Sequence, residues 1–550
     1  MGKEGRSGGA TVVPAPFRRP AERRSVLDRA HRGDIQGALG RVAVHETAPR
    51  RWRRRRLAAL LAIMGPGLIV MVGDNEAGSL SVYGQAGQNY GLSLLWLLIP
   101  LAGVLFINQE MVARLGAVTG AGHARLIYER FGRRWGAFAL ADLIALCFLT
   151  IVTEFIGVDL AAGFLGIDRY AAVPIAAVAL LAITATGSFR RWERLMYCFV
   201  FLNVLTIPLV VVSHPRPVAV VHGLVPGLDG RMTANIVLLM IALVGATVAP
   251  WQLFFHQSNV VDKRITGRWL AYERVDTLIG AVVFALGAVA VIATCAFAFG
   301  GTPLHGAFVD AGSVATGLQS RLGYTAALIF VLILLNGSLF GTLVVTLGAA
   351  YAVGDVFGVK HSLHRRWRDA PSFYGIFAVL ILAAAAVVLV PGAPLGIVTT
   401  AVQALAGVLL PSALVFLVLL CNDREVLGPW TNPRWLNALA TASIGVLLVL
   451  SGLLTFTILL PGARIRYLAI GLVTALAIAL SLFARQSYGG ESPVADGDEP
   501  ARADWSMPPF ERLAPPARSR GRTVGLIVLR SYLTVATLLL ILKTARLVIG

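Results

Sequence analysis

Gly65-Pro66-Gly67-Leu68-Ile69-Val70-Met71-Val72-Gly73-Asp74-Asn75-Glu76-Ala77-Gly78-Ser79 is the stretch on which the fold turns. It lies inside an apolar run at about 57–84, long enough to cross a bilayer, yet it carries two carboxylates at its centre. Each charge at mid-bilayer costs at least ~2.5–3.5 kcal/mol, so Asp74 and Glu76 need a cation, a partner or water. Asn75 and the flanking glycines weaken the helix at this point. A second interruption reads Gly245-Ala246-Thr247-Val248-Ala249-Pro250-Trp251-Gln252. Pro250 removes a backbone donor and clashes with the preceding turn, which frees carbonyls near Ala246.

The rest of the chain is consistent with a membrane setting. Of 550 residues, 57% are apolar and only 14% charged, against about 25% charged in an average soluble domain. That balance argues against a soluble enzyme, a disordered chain or a disulfide scaffold. Apolar stretches follow one another at about 57–84, 91–113, 136–163, 171–187, 195–213, 233–257, 276–300, 323–352, 372–391, 396–420, 436–459 and 466–485, about twelve spans in all. Cys147, Cys198, Cys295 and Cys421 lie in or at the ends of these runs and read as packing residues.

The net charge of +19 could suggest nucleic acid, but the positions of the charges argue otherwise. Fifteen basic residues lie in the first 56, and most of the others fall in short gaps between spans. With the N-terminus inside, the inner loops carry 18 Lys and Arg and the outer loops six, which predicts a cytoplasmic N-terminus. Residues 1–56 are then expected to be a basic, disordered cytoplasmic tail able to lie on anionic lipid. No signal peptide is expected, because apolar sequence starts only at Leu57. The domain plan is a transporter unit at 57–485, a polar Pro-rich linker at 486–522 and a C-terminal apolar helix at 523–550. That last helix either spans the bilayer or lies at its interface.

The two interruptions fall in spans one and six, five apart. An all-α membrane protein built as a 5+5 inverted repeat would bring these broken helices 1 and 6 together at the midplane. Freed carbonyls and carboxylates are hard oxygen ligands suited to a cation. No enzyme is implied: neither a convergent nucleophile and base nor a phosphate-binding Gly loop with a Lys is present.

Several further stretches carry a family resemblance: Gln88-Asn89-Tyr90-Gly91, Ala113-Arg114-Leu115-Gly116, Gly245-Ala246-Thr247-Val248 followed by Pro250 and His256, Leu410-Pro411, and Asn432-Pro433-Arg434-Trp435-Leu436. With Gly65-Pro66-Gly67, their order and spacing resemble the Nramp divalent-metal transporters. The resemblance implies a LeuT-like fold, a transported divalent ion in place of a resident cofactor, and a place in a bacterial-type inner membrane.

The departures from the family pattern carry the specificity argument. The family's first-helix Asp-Pro-Gly-Asn aligns without a gap on Glu76, Ala77, Gly78 and Ser79, with Asp74 as an additional acid; a shift of two residues puts Asp74 itself at the family Asp. The family's sixth-helix Met-Pro-His is Ala249-Pro250-Trp251 here. Losing the soft thioether and gaining a carboxylate suits a partly hydrated Mg²⁺, with Mn²⁺ as co-substrate. This is similar to the Nramp-related magnesium transporters. The metal set implied by the resemblance is Asp74, Asn75, Glu76, Ser79, Ala246, Ala249, Trp251 and Gln403.

The family's proton path uses the sixth-helix His and acids on helix three. Here Trp251 cannot titrate, Glu154 matches the first acid and Gly157 stands at the second. Asp159 is five positions after Glu154, on a different face. Span nine has no basic residue, although the family often keeps arginines there. Transport is therefore expected to be uncoupled or weakly coupled. Glu154, Asp159, Asn336 and His256 are the residues that could still line a proton or water path. A proton-coupled transition-metal symporter and an organic-solute symporter of the same fold are the alternatives. Two acids at the break disfavour the second, because they repel a substrate carboxylate.

Overall fold

Proline and glycine punctuate the apolar runs and set where helices begin and end. The computed structural model describes residues 31–46, 53–227, 233–391, 395–459 and parts of 467–532, with residues 32 and 186 excepted. Before the first helix, β1 (Ile35–Gly37) and β2 (Gly40–Val42) pair antiparallel, Ile35 opposite Val42, and both of these side chains are buried. This hairpin lies within residues 1–56, a tail expected to be mostly disordered. An apolar pair in a short hairpin buries itself against the helices, which a net-charge reading of the tail overlooks.

In chain order the helices are α1 (Arg53–Ile63), α2 (Pro66–Gly73), α3 (Ala77–Tyr90), α4 (Leu98–Thr119), α5 (His123–Phe131), α6 (Arg133–Phe164), α7 (Arg169–Thr184), α8 (Phe189–Leu202), α9 (Thr206–Val212), α10 (Pro217–Gly223), α11 (Ala234–Thr247), α12 (Pro250–Asp262), α13 (Leu270–Phe299), α14 (Ala311–Leu322), α15 (Tyr324–Phe357), α16 (Pro371–Val388), α17 (Leu395–Cys421), α18 (Arg424–Leu427) and α19 (Arg434–Leu459). Among the described residues, nine helices are long and apolar enough to cross a membrane, matching spans two, three and five to eleven. The expected first span resolves into α1, α2 and α3. A bend of 49° separates α1 from α2, and Gly65 at φ 148° takes a conformation there that side chains disfavour. The fourth span is α7, an apolar helix of 16 residues. The twelfth falls largely outside the described residues, and the C-terminal segment 523–550 is described only to Tyr532.

Both predicted breaks are present. Between α2 and α3, Asp74 keeps helical angles, while Glu76 is extended and caps α3. Between α11 and α12, Val248 and Ala249 leave the helix and Pro250 starts α12, where its missing N–H costs nothing. Around the breaks, α6 packs along α15, α11 along α17, and α13 along both α2 and α3. Gly245 lets α11 approach α17 closely: a β-carbon there would fall 1.9 Å from the Gln403 carbonyl oxygen.

The hairpin end of the bundle is tied by buried charge. Lys263, just past α12, donates to Glu193 on α8 and to the Met64 carbonyl, and Glu193 also accepts the Ala38 N–H of the hairpin. Asp262 accepts from Tyr351 Oη at 2.7 Å and from the Leu363 N–H at 2.9 Å, with His31 Nε2 at 3.7 Å. These contacts hold α1, α8, α12 and the loop after α15 to one another.

Candidate metal site at the helix breaks

The two breaks meet. Asp74 and Glu76 are each 1% exposed, and their carboxyl groups turn to different neighbours. Asp74 Oδ1 accepts a hydrogen bond from Gln252 on the first turn of α12. Glu76 Oε1 accepts from Gln403 Nε2 on α17 at 2.7 Å. Asp74 Oδ2 has no hydrogen-bond partner, while Glu76, beyond its bond from Gln403, faces the carboxyl of Glu154, which can donate to it when protonated. A buried, unpaired carboxylate oxygen in a membrane is costly unless it meets a cation or a proton.

Ala246, predicted to offer a freed carbonyl, does so with its oxygen already engaged. Ser79 Oγ donates to it at 3.0 Å and Tyr83 Oη at 3.1 Å. Both donors sit on α3, so the broken end of α11 is stitched to the helix after the first break. Ala249 is buried at the N-cap of α12; its side chain is a methyl group, and its carbonyl accepts the Gln252 N–H at 3.2 Å. Trp251 is fully buried; its ring approaches Gly73, one residue before Asp74, and packs edge-on to Phe255. Its indole N–H has no partner.

Asn75 parts from the set. Its side chain lies against Gly287 of α13 and its carbonyl against Gly337 of α15. Glu154 is brought close: Oε2 accepts the Ala77 N–H at 3.1 Å, and its carboxyl faces that of Glu76. Gly341 sits beside both, since a β-carbon there would fall 2.8 Å from Glu154 Cδ and 2.9 Å from Glu76 Cβ.

The other path residues are engaged elsewhere. Asp159 pairs with Arg169 at 3.1 Å, near the start of α7. Asn336 Nδ2 donates to the Phe199 carbonyl at 3.1 Å. His256 is buried between Gln109 Oε1 at 2.9 Å and Glu273 Oε1 at 3.0 Å. Gln109 in turn donates to Gln252 at 2.9 Å, so a file of side chains runs Asp74, Gln252, Gln109, His256, Glu273. Sequence reasoning missed Tyr83, Gln109 and Gln252. The available signal was a polar residue inside each otherwise apolar run.

A profile described as natural resistance-associated macrophage protein-like matches residues 67–457. The chain belongs to the Nramp family. Its relatives include the divalent metal cation transporter MntH 1 of Pseudomonas aeruginosa, 28% identical over 71% of this chain and 90% of that protein. The corresponding transporter of Deinococcus radiodurans is 27% identical over 81% and 98%. A crystal structure of the Eremococcus coleocola manganese transporter superposes with a TM-score of 0.62 at 19% identity, covering 80% of this chain and 98% of that one. The LeuT-like fold expected of a family member is thereby shown. Nramp proteins are transporters and not enzymes, and this one is a multi-pass membrane protein.

Against the family pattern, Gly157 of this Nramp chain has a packing reason. A β-carbon there would fall 2.3 Å from Ser338 Oγ and 2.4 Å from Ala77 Cβ, so α6 can lie against α3 and α15 only without a side chain. An acid at that position has no room.

Proposed function

We propose that this chain imports divalent metal ions by alternating access, with Mg²⁺ as substrate and Mn²⁺ as co-substrate. The ion sits between the broken helices, on Asp74 and Glu76, with the Gln403 and Gln252 amides and the Ser79 hydroxyl around them. The N-terminus lies on the cytoplasmic side, as the loop charges favour. One observation carries the reading: two buried carboxylates lie at the meeting of two helix breaks, and Asp74 Oδ2 has no hydrogen-bond partner. A divalent cation offsets both charges, and no organic anion could.

The choice of Mg²⁺ rests on the donor chemistry. The facing groups are oxygens and amides, and Ala249 stands where the family has a thioether. Mg²⁺ is held through one or two carboxylates and keeps several waters, and a methyl in place of a sulfur leaves room for them. The relatives favour a second reading, because those compared carry divalent metals or manganese by name. On that reading Mn²⁺ is the main substrate and Mg²⁺ a poor one. Uptake into liposomes separates the two. Mg²⁺ in large excess should suppress Mn²⁺ uptake, and a failure to compete selects the manganese reading. If Asp74→Ala and Glu76→Ala both transport normally, the site is elsewhere.

Uncoupled transport fits the same geometry. Trp251 replaces the titratable residue of helix six, Gly157 the second acid, and Asp159 is held by Arg169. Inward flow then runs on concentration and on membrane potential, about 2.3 kcal/mol per charge per 100 mV. Recording internal pH during Mg²⁺ uptake tests this. Stoichiometric acidification that vanishes in Glu154→Ala would replace the uncoupled reading with a coupled one.

A further inference from the structure

Beyond Gln403, at the end of the bundle away from the hairpin, lies a cavity of about 240 Å³ between α3, α11 and α17. Its polar lining is Gln85, Asn89, Tyr90, Asn235 and Thr400. Every one of these is uncharged, and each can present an oxygen. Thr400 Oγ1 donates to Gln85 Oε1 at 3.2 Å, and the Phe308 N–H donates to Asn89 Oδ1 at 3.2 Å. These bonds orient the two amides, and each carbonyl keeps a second lone pair.

We propose that this cavity is a waiting site for the hexahydrated divalent cation, held through its water shell before it reaches Asp74 and Glu76. The proposal rests on the divalent-cation reading above and adds where the ion first binds. Six waters at about 30 Å³ each occupy about 180 Å³, so the intact aquo ion fits. Water bound to a small dication points its hydrogens outward and needs acceptors, which is what amide and hydroxyl oxygens supply. Mg²⁺ surrenders water reluctantly, so a site of neutral dipoles binds it without stripping it. A carboxylate here would hold the ion too tightly for onward movement.

The route inward follows the helices. Thr400 stands one turn from Gln403 on α17, and Gln403 donates to Glu76. On α3, Gln85 stands about 10 Å from Gly78 along the axis, with Ser81 between them and 3.3 Å from Thr399. The Gln403 amide packs on Gly78 so closely that a β-carbon there would fall 2.2 Å from Nε2, so Gln403 stands between α3 and α17 one turn past the Thr400 of the cavity lining. The carboxylates beyond Gln403 draw cations in and repel anions.

The test uses hexaamminecobalt(III), a cation of aquo-ion size whose ligands do not exchange. In liposomes holding the full chain, it should inhibit Mg²⁺ or Mn²⁺ uptake competitively. Gln85→Leu with Asn235→Leu should raise KM for the metal about tenfold and weaken that inhibition by a similar factor. Thr400→Val, a near-isosteric change, should do the same to a smaller extent and serves if the double variant fails to fold. Calorimetry on solubilised protein should detect hexaammine binding in Asp74→Ala with Glu76→Ala and lose it in the cavity variants. Normal metal uptake with unchanged KM and unchanged inhibition in the cavity variants overturns the waiting site alone. So does binding that disappears with the two acids, or no inhibition of the unaltered protein. An unaltered protein that carries neither Mg²⁺ nor Mn²⁺ overturns the transport reading instead.

Discussion

Gln403 on α17 donates a 2.7 Å hydrogen bond to Glu76 Oε1 in the break after α2, joining residues 327 positions apart. This bond engages one carboxylate oxygen of an acid proposed to hold the metal. Gln403→Leu removes this donor from a buried acid whose other neighbour is the Glu154 carboxyl, which costs about 1–3 kcal/mol. Metal uptake into liposomes should fall roughly five- to a hundredfold. Uptake at the normal rate would show that Gln403 only packs.

Ala249→Met should restore a sulfur at the N-cap of α12. Competition by Cd²⁺ against Mn²⁺ uptake should strengthen and Mg²⁺ uptake should weaken, because a thioether favours softer ions. Unchanged selectivity in a folded variant would remove the donor-chemistry argument for Mg²⁺.

Gly157→Asp should restore the family's acid and fail to restore coupling. Its β-carbon would meet Ser338 and Ala77 at 2.3 and 2.4 Å. Overpacking of this kind costs about 1–3 kcal/mol before the buried charge is counted. Thermal unfolding in detergent should show a lower midpoint for Gly157→Asp and also for Gly157→Ala. Equal midpoints would mean that α6 does not lie so close to α3 and α15.

Lys263→Met should leave the buried Glu193 carboxylate uncompensated and destabilise the protein by about 3–5 kcal/mol. Adding Glu193→Met should recover most of the loss, since a buried pair replaced by apolar residues is often neutral. The midpoints of the two single variants and the double variant form the cycle that checks this. Additive losses would show that the two residues act independently.

His361, in the loop after α15, supplies a pH dependence. Burial, the largest single influence, pushes its imidazole down, but Asp355 at 3.0 Å, the Val359 carbonyl and Asp262 together outweigh it and the value ends above 6.5. A raised folded value contributes stability that is complete below pH 6.5 and is lost as pH climbs through the folded value. The unfolding midpoint should therefore drop between neutral and mildly alkaline pH more in the unaltered protein than in His361→Asn. Parallel curves would show that the pair carries no net stability.

Much of the plan was legible in the chain itself. Asp74 and Glu76 in an apolar run, and Pro250 in another, announce broken helices because charge and a missing N–H are costly in hydrocarbon whatever surrounds them. The long spans were legible for the same reason: each helix satisfies its own backbone, so length and hydropathy are local properties. The pairing of Gln252 with Asp74, the hydroxyls of Ser79 and Tyr83 on the Ala246 carbonyl, and the approach of Glu154 to Glu76 were not. These depend on which faces of helices far apart in sequence meet, and small residues such as Gly157, Gly245 and Gly341 set that approach without a pattern of their own. The hairpin at 35–42 was likewise hidden, because its two buried side chains gain their apolar surroundings only from helices that follow. The sequence by itself determined that the chain crosses the membrane, where its helices break and which acids lie at one break. The tertiary structure alone decided which partners those acids meet, because that depends on which helix faces come together.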